Sequence, residues 1–221
     1  MEDNLKKYWD TYNDTPGILQ VGWEWVRWLE KLENKIKPKV YVEIGTEYGG
    51  ALATINKTFP FARCIGIDLK PASEADAPPM QPPDKYEHCY EFIRGSSHDI
   101  RVWRELLKML KGERADVLFI DGSHLFDDVY KDWLDYAPLA RVVALHDVNW
   151  SNYMKTAGFD VHWLWQYLKT QYECEELLCP AEERLGEDNK VDIWGGIGIV
   201  YLDKKIGRHP LPMDIQEYEK R

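Results

Sequence analysis

Two short segments combine carboxylates with imidazoles: Asp121-Gly122-Ser123-His124 and His146-Asp147-Val148-Asn149. Each closes an aliphatic run, DVLFID at 116–121 and RVVALHD at 141–147. If those runs are adjacent parallel strands, roughly 5 Å apart, their ends converge over one pocket. Two carboxylates with a third donor suit a hard divalent ion such as Mg²⁺, and Asp121, His146 and Asp147 are its expected ligands. Such an ion lowers the pKa of a bound hydroxyl and makes an oxygen nucleophile near neutral pH. His124 lies just outside that set and is the candidate catalytic base, because imidazole titrates close to working pH. The plain alternative leaves His146 as a core histidine and Asp121 as an ordering group, with no metal. Asp127 and Asp128 fall near the start of the next helix, where negative charge is favourable, and are expected to be solvated.

Upstream, Lys39–Ile44 (KVYVEI) runs into Gly45-Thr46-Glu47-Tyr48-Gly49-Gly50. Gly45 permits a sharp turn and close approach of a ligand to the backbone. The loop is neither GxGxxG nor GxxxxGK[ST], so it suits a ligand without pyrophosphate. Asp68 ends the run ARCIGIDL at 62–69, 25 residues after Glu43. An acid at that strand tip can accept both hydroxyls of a ribose. After a weaker run at 91–94 comes Gly95-Ser96-Ser97-His98-Asp99. There Ser97 or Asp99 could meet an adenine edge, or either could cap the helix starting near Ile100.

These residues need a frame that lines up strand ends. The central runs are continuous in Val, Ile, Leu and Phe, as in strands covered by helices on both faces. Helical patterns fill 50–57, 100–111, 126–136 and 160–172, and a late run, GIGIVYL, occupies 196–202. Alternating strand and helix implies an α/β fold with a doubly wound, mostly parallel sheet. In that architecture ligands sit beyond the carboxyl ends of the strands. An amphipathic helix is expected over 18–36, with Ile18, Val21, Trp25, Leu29, Leu32 and Ile36 on one stripe and Pro38 as its stop. Residues 71–84 carry five prolines and read as a surface loop, a flap or a solvated insertion.

The 221 residues fit one domain, 1–221, with a real core. A net charge of −10 without a long Lys/Arg run disfavours nucleic acid as a partner. The aliphatic stretches are too short to span a membrane and the polar N-terminus lacks a secretory core, so a cytoplasmic location is expected. Cys64, Cys89, Cys174 and Cys179 are expected as free thiols, without zinc spacing.

The stretch from Tyr41 to Asn149 resembles the class I S-adenosylmethionine-dependent methyltransferases. Within them it is most similar to the family 24 group, related to macrocin-type sugar O-methyltransferases and cephalosporin-hydroxylase-like proteins. The match is carried by VEIGTEYGGALATI, IGIDL, GSSHD, FIDGSHLFDDVYKDWLDYAPL and ALHDV, and it covers roughly half the chain. The resemblance implies a Rossmann-like fold with a reversed C-terminal strand and S-adenosylmethionine as cofactor. It places the methionine and ribose parts of the cofactor on Glu43, Gly45 and Asp68, and Thr46, Tyr48, Ser97, Asp99 and Asp121 are further candidate cofactor contacts. It matches the Mg²⁺ ligands of the antibiotic-sugar relatives to Asp121, His146 and Asp147, and their base to His124. The chain departs from that pattern at His146, where those relatives carry Glu, which weakens a magnesium site.

The implied activity is O-methylation of a hydroxylated small molecule or sugar. Its acceptor pocket is expected among the N-terminal 37 residues, the proline loop and 149–194, with Trp150 and Tyr153 on its wall. A cofactor-binding protein without catalysis and a nicotinamide-dependent oxidoreductase are the competing readings. Homo-oligomerisation is left open.

Overall fold

A computed structural model describes residues 5–15, 18, 20–70, 90–149, 151–179 and 195–205. The helices and strands of the central region follow the expected alternation. They are α1 (Lys6–Asn13), α2 (Gly22–Lys31), β1 (Val40–Ile44), α3 (Gly50–Thr58), β2 (Arg63–Asp68), β3 (Glu91–Arg94), α4 (Ile100–Leu110), β4 (Ala115–Ile120) and α5 (Phe126–Tyr136). They continue with β5 (Ala140–Leu145), α6 (Asn152–Ala157), α7 (Val161–Gln171), β6 (Tyr172–Leu177) and β7 (Ile197–Lys205).

The strands form one seven-stranded sheet in the order β3-β2-β1-β4-β5-β7-β6. The first five are parallel, and β7 runs antiparallel between β5 and β6. The strand order reverses at β1 and β4, where the crevice of an open α/β sheet opens.

Three elements depart from the sequence expectation. The helix expected over 18–36 begins at Gly22, and Leu32–Ile36 winds as a π turn that ends on Lys37 at φ 53°. Ahead of Gly22 lies a separate helix, α1. The second is β6, whose sequence YECEEL is too acidic to read as a strand; half of it pairs with lysines and a tyrosine. The third is α6, too short to give a periodic signal. The proline stretch 71–84 lies outside the described residues.

Alternation along each strand sends side chains to two separate cores. Val42 and Ile44 join Leu106, Trp133, Leu164 and Trp165 on the α4–α5–α7 face. Tyr41 and Phe119 join Trp25, Trp28, Leu29, Leu52 and Ile55 on the α1–α2–α3 face. Trp25 and Trp28 place their rings 5.5 and 6.3 Å from Phe119. Each indole N–H is also satisfied, by Thr54 Oγ1 at 2.7 Å and by the Tyr41 hydroxyl at 3.3 Å. Truncating such a buried Trp to Ala costs roughly 3–5 kcal/mol. Glu24 is buried on α2, and its carboxylate accepts from the backbone N–H groups of Cys179 and Gly196, at 3.0 and 2.7 Å. It ties the end of β6 and the start of β7 to α2.

Cys64 and Cys179 are buried and Cys174 is half-buried, and Cys89 lies outside the described residues. Among the described residues no helix is long and apolar enough to cross a membrane.

Candidate functional site

The parallel ladder persists just past the strand ends and fixes the tips against one another. Gly45 N–H donates to Ile67 O, Asp121 N–H to Ile44 O, His146 N–H to Ile120 O and Gly95 N–H to Asp68 O, at 2.8–3.1 Å. Gly45 has φ +87°, and a Cβ there would lie 2.2 Å from the Asp121 carbonyl oxygen. Only glycine allows the tips of β1 and β4 to touch in this way.

Beyond these tips lies a cavity of about 580 Å³. Glu43, Gly45, Thr46, Tyr48, Asp68, Ser97, Asp121, His124, His146 and Asp147 all line it, as the sequence reading anticipates. Asp99 is absent from its wall. It caps α4 instead, accepting from Arg101 N–H at 2.9 Å and pairing with the Arg101 guanidinium. Trp150 lies outside the described residues; Tyr153 falls on α6, with its side chain outside them.

Asp68 binds the glycine loop directly: its Oδ2 accepts from Glu47 N–H at 2.9 Å and its Oδ1 from Lys70 N–H at 3.2 Å. Glu43 is buried beneath the loop, with Oε2 lacking a hydrogen-bond partner. Burial, with the charges of Asp121 and Asp68, holds its carboxyl well above the usual range.

At the other end, four titratable groups interlock. His124 Nδ1 lies 2.8 Å from Asp147 Oδ2, and the His124 ring stacks on Phe159 with centroids 4.3 Å apart. His146 Nδ1 is 3.0 Å from Asp121 Oδ1 and 3.4 Å from Asp147 Oδ1. His146 and Asp147 are only 5% and 4% exposed. Burial alone would lower the His146 pKa, but Asp121 and Asp147 outweigh it and push it up to about 10. For His124, too, burial is the largest single effect and pulls down, but the bond to Asp147 together with the charges of Asp147 and Asp121 outweighs it, and the result is a raised pKa. Burial would raise Asp147; the two imidazoles hold it low. Asp147 itself sits at φ +59°, a left-handed conformation just past β5 that costs a non-glycine residue about 1 kcal/mol or more.

By proximity Asp121, His124 and Asp147 could hold a metal ion, each offering a ligand atom within 4.8 Å of the others. The ring in this group is that of His124 rather than the expected His146, because His146 turns Nδ1 to Asp121 and buries Nε2. The donor set is not open as it stands. Asp121 Oδ1 faces His146, Asp121 Oδ2 accepts from Gln20 Nε2 at 2.6 Å, and Asp147 Oδ2 faces His124. An incoming cation has to displace these N–H partners before it meets the three side chains.

Residues 42–148 match a family 24 model described as Methyltransferase domain. That match spans just under half of the chain. No curated protein matches the chain by sequence. Solved structures share its fold. The O-methyltransferase from Bacillus cereus, in complex with SAH, aligns at 16% identity with a TM-score of 0.54, covering 91% of each chain. The O-methyltransferase TomG from Streptomyces achromogenes, involved in tomaymycin synthesis and in complex with SAM, aligns at 15% identity with a TM-score of 0.56, covering 91% of this chain and 90% of that one. Cofactor-bound Rv0187 from MTB aligns at 17% identity with a TM-score of 0.54, covering 91% and 88%.

Three residues lining the cavity carry no sequence signal that singles them out. Gln20 comes from the α1–α2 connection, outside the matched domain. Phe159 follows α6 and backs the His124 ring. Asp132 lies on α5, buried, bonded to Ser97 and 3.4 Å from His98 Nε2. The charge-rich run DDVYKD disguises it as one more solvated acid.

Proposed function

We propose that this chain is an S-adenosylmethionine-dependent O-methyltransferase acting on a hydroxylated small molecule. The observation that carries the reading is the Asp147–His124 pair at one end of the cavity whose other end is built by Asp68 and the glycine loop. The methyltransferase domain match and the shared fold support it. A cavity of about 580 Å³ falls in the size range of small-ligand sites.

The nucleoside lies across the tips of β1 and β2. Asp68, held by Glu47 N–H, keeps oxygen lone pairs for the ribose hydroxyls. Ser97 lines the adenine side, and Asp99 is confined to capping α4. Asp147 binds His124 at Nδ1 and so leaves Nε2 for the acceptor. As the acceptor oxygen attacks the methyl carbon, the carbon–sulfur bond breaks and its electron pair stays on sulfur. The hydroxyl proton passes to His124 Nε2. Asp147 holds the ring in the required tautomer and stabilises the imidazolium that forms. Phe159 limits rotation of the ring by stacking on it. A divalent ion has no part in these steps.

The test is a calorimetric titration with S-adenosylhomocysteine, followed by transfer of labelled methyl from S-adenosylmethionine to a panel of sugars, phenols and polyketide alcohols. Binding and transfer to an oxygen are expected. Failure to bind the nucleoside overturns the reading; binding without transfer to any acceptor favours a non-catalytic cofactor-binding protein.

A further inference from the structure

Gln20 is 7% exposed, lines the cavity, and stands outside the methyltransferase domain. Its two amide arms can be told apart by chemistry. Asp121 Oδ2 is an acceptor, so the arm 2.6 Å from it is the NH₂ group. The other arm, Oε1, is buried without a hydrogen-bond partner. The segment is held there from α1, where the Tyr12 hydroxyl donates to Gln20 O at 3.0 Å.

Two nearby lining atoms, among others, share that condition: Glu43 Oε2 and Thr46 Oγ1 are buried and without partners. All three belong to the part of the wall where β1 meets Asp121. Leaving a buried acceptor unsatisfied is costly, so a ligand that brings donors to this corner is favoured. The negative charges at this corner are Asp121 and Asp68, beside the Glu43 carboxyl, and the nearby imidazole of His146 is already engaged by Asp121 and Asp147. A primary ammonium supplies both the donors and the charge.

We propose that Gln20 is a cofactor-binding residue, its Oε1 accepting a hydrogen bond from the cofactor's amino-acid ammonium beside Glu43. The inference rests on the cofactor reading above. It makes the α1–α2 connection part of the cofactor site, so the matched domain does not complete that site by itself.

The test compares ligands with and without the amino group. The full-length chain and its Gln20→Met variant are titrated with S-adenosylhomocysteine, its deaminated analogue and 5′-methylthioadenosine. In the unaltered chain, removing the amine is expected to weaken binding about tenfold or more. In Gln20→Met, S-adenosylhomocysteine weakens about tenfold, while 5′-methylthioadenosine stays within twofold. Equal loss for both ligands would assign Gln20 a merely structural role and overturn the proposal, as would no loss for either. If the variant does not fold, Gln20→Ala replaces it, and an amine that contributes nothing in the unaltered chain overturns the proposal unaided. Binding of 5′-methylthioadenosine with no effect at Gln20 leaves the cofactor reading standing; binding of no nucleoside at all sinks both.

Discussion

His124 Nδ1 sits 2.8 Å from Asp147 Oδ2, which commits one ring nitrogen to a carboxylate and leaves the other for chemistry. General-base catalysis of this type contributes typically 10²–10⁴-fold. His124→Gln is therefore expected to lower turnover by about two to four orders of magnitude, with S-adenosylhomocysteine affinity within twofold. Methyl-transfer assays and calorimetry on the same preparation check both halves.

The pH profile follows from the same pair. Asp147 raises the His124 pKa against the opposing effect of burial, and a base works only when neutral. The rate should fall on the acid side of that raised value. Asp147→Asn removes the charge, so the acid limb should move to lower pH while the plateau drops. A limb that stays in place would assign the titration to another group.

Gly45→Ala places a Cβ against the Asp121 carbonyl in a left-handed turn. Overpacking of this kind typically costs 1–3 kcal/mol, with backbone strain added to it. We expect a lower Tm and loss of nucleoside binding, measured by thermal unfolding and titration.

Asp132 gives stability a pH dependence of defined sign. Burial first, partly offset by the Ser97 bond and His98, with Asp128 and Asp135 adding repulsion, pushes it up to about 6. The unfolded value is roughly 4. The folded state thus binds more protons between these values, and stability falls as pH rises through that window. Asp132→Asn should flatten the slope and raise Tm at pH 8 by roughly 3 °C or more.

With His146, Gln20 and His124 already facing the carboxylate oxygens, turnover should be unchanged by EDTA or added Mg²⁺. A loss on chelation, restored by the ion, would mean that the rings move aside for it.

The sheet was readable because its strands are buried on both faces, and continuous aliphatic runs such as VVAL at 142–145 leave little alternative. The tip residues were readable because each follows its run directly. Gln20 was not, since its role depends on where the N-terminal connection bends in three dimensions. Asp99 was left open between adenine and cap for a related reason: at a helix start, capping competes with ligand binding for the same carboxylate, and here it caps α4 and pairs with Arg101 two residues on. The His146 ring fell between. Its type announced chemistry, but only the fold shows both carboxylates competing for one nitrogen.

The carboxylate of Glu24, gripping Cys179 and Gly196 at once, pins the chain at a common knot on either side of 180–195. Whatever the length of chain between these two points, β7 enters the sheet from the same anchor. The entropic cost of joining two fixed points grows only logarithmically with the number of residues between them. Segments of other lengths could therefore be exchanged between those two anchor points without shifting a strand, which makes this the natural place for grafted acceptor preferences on an unchanged scaffold.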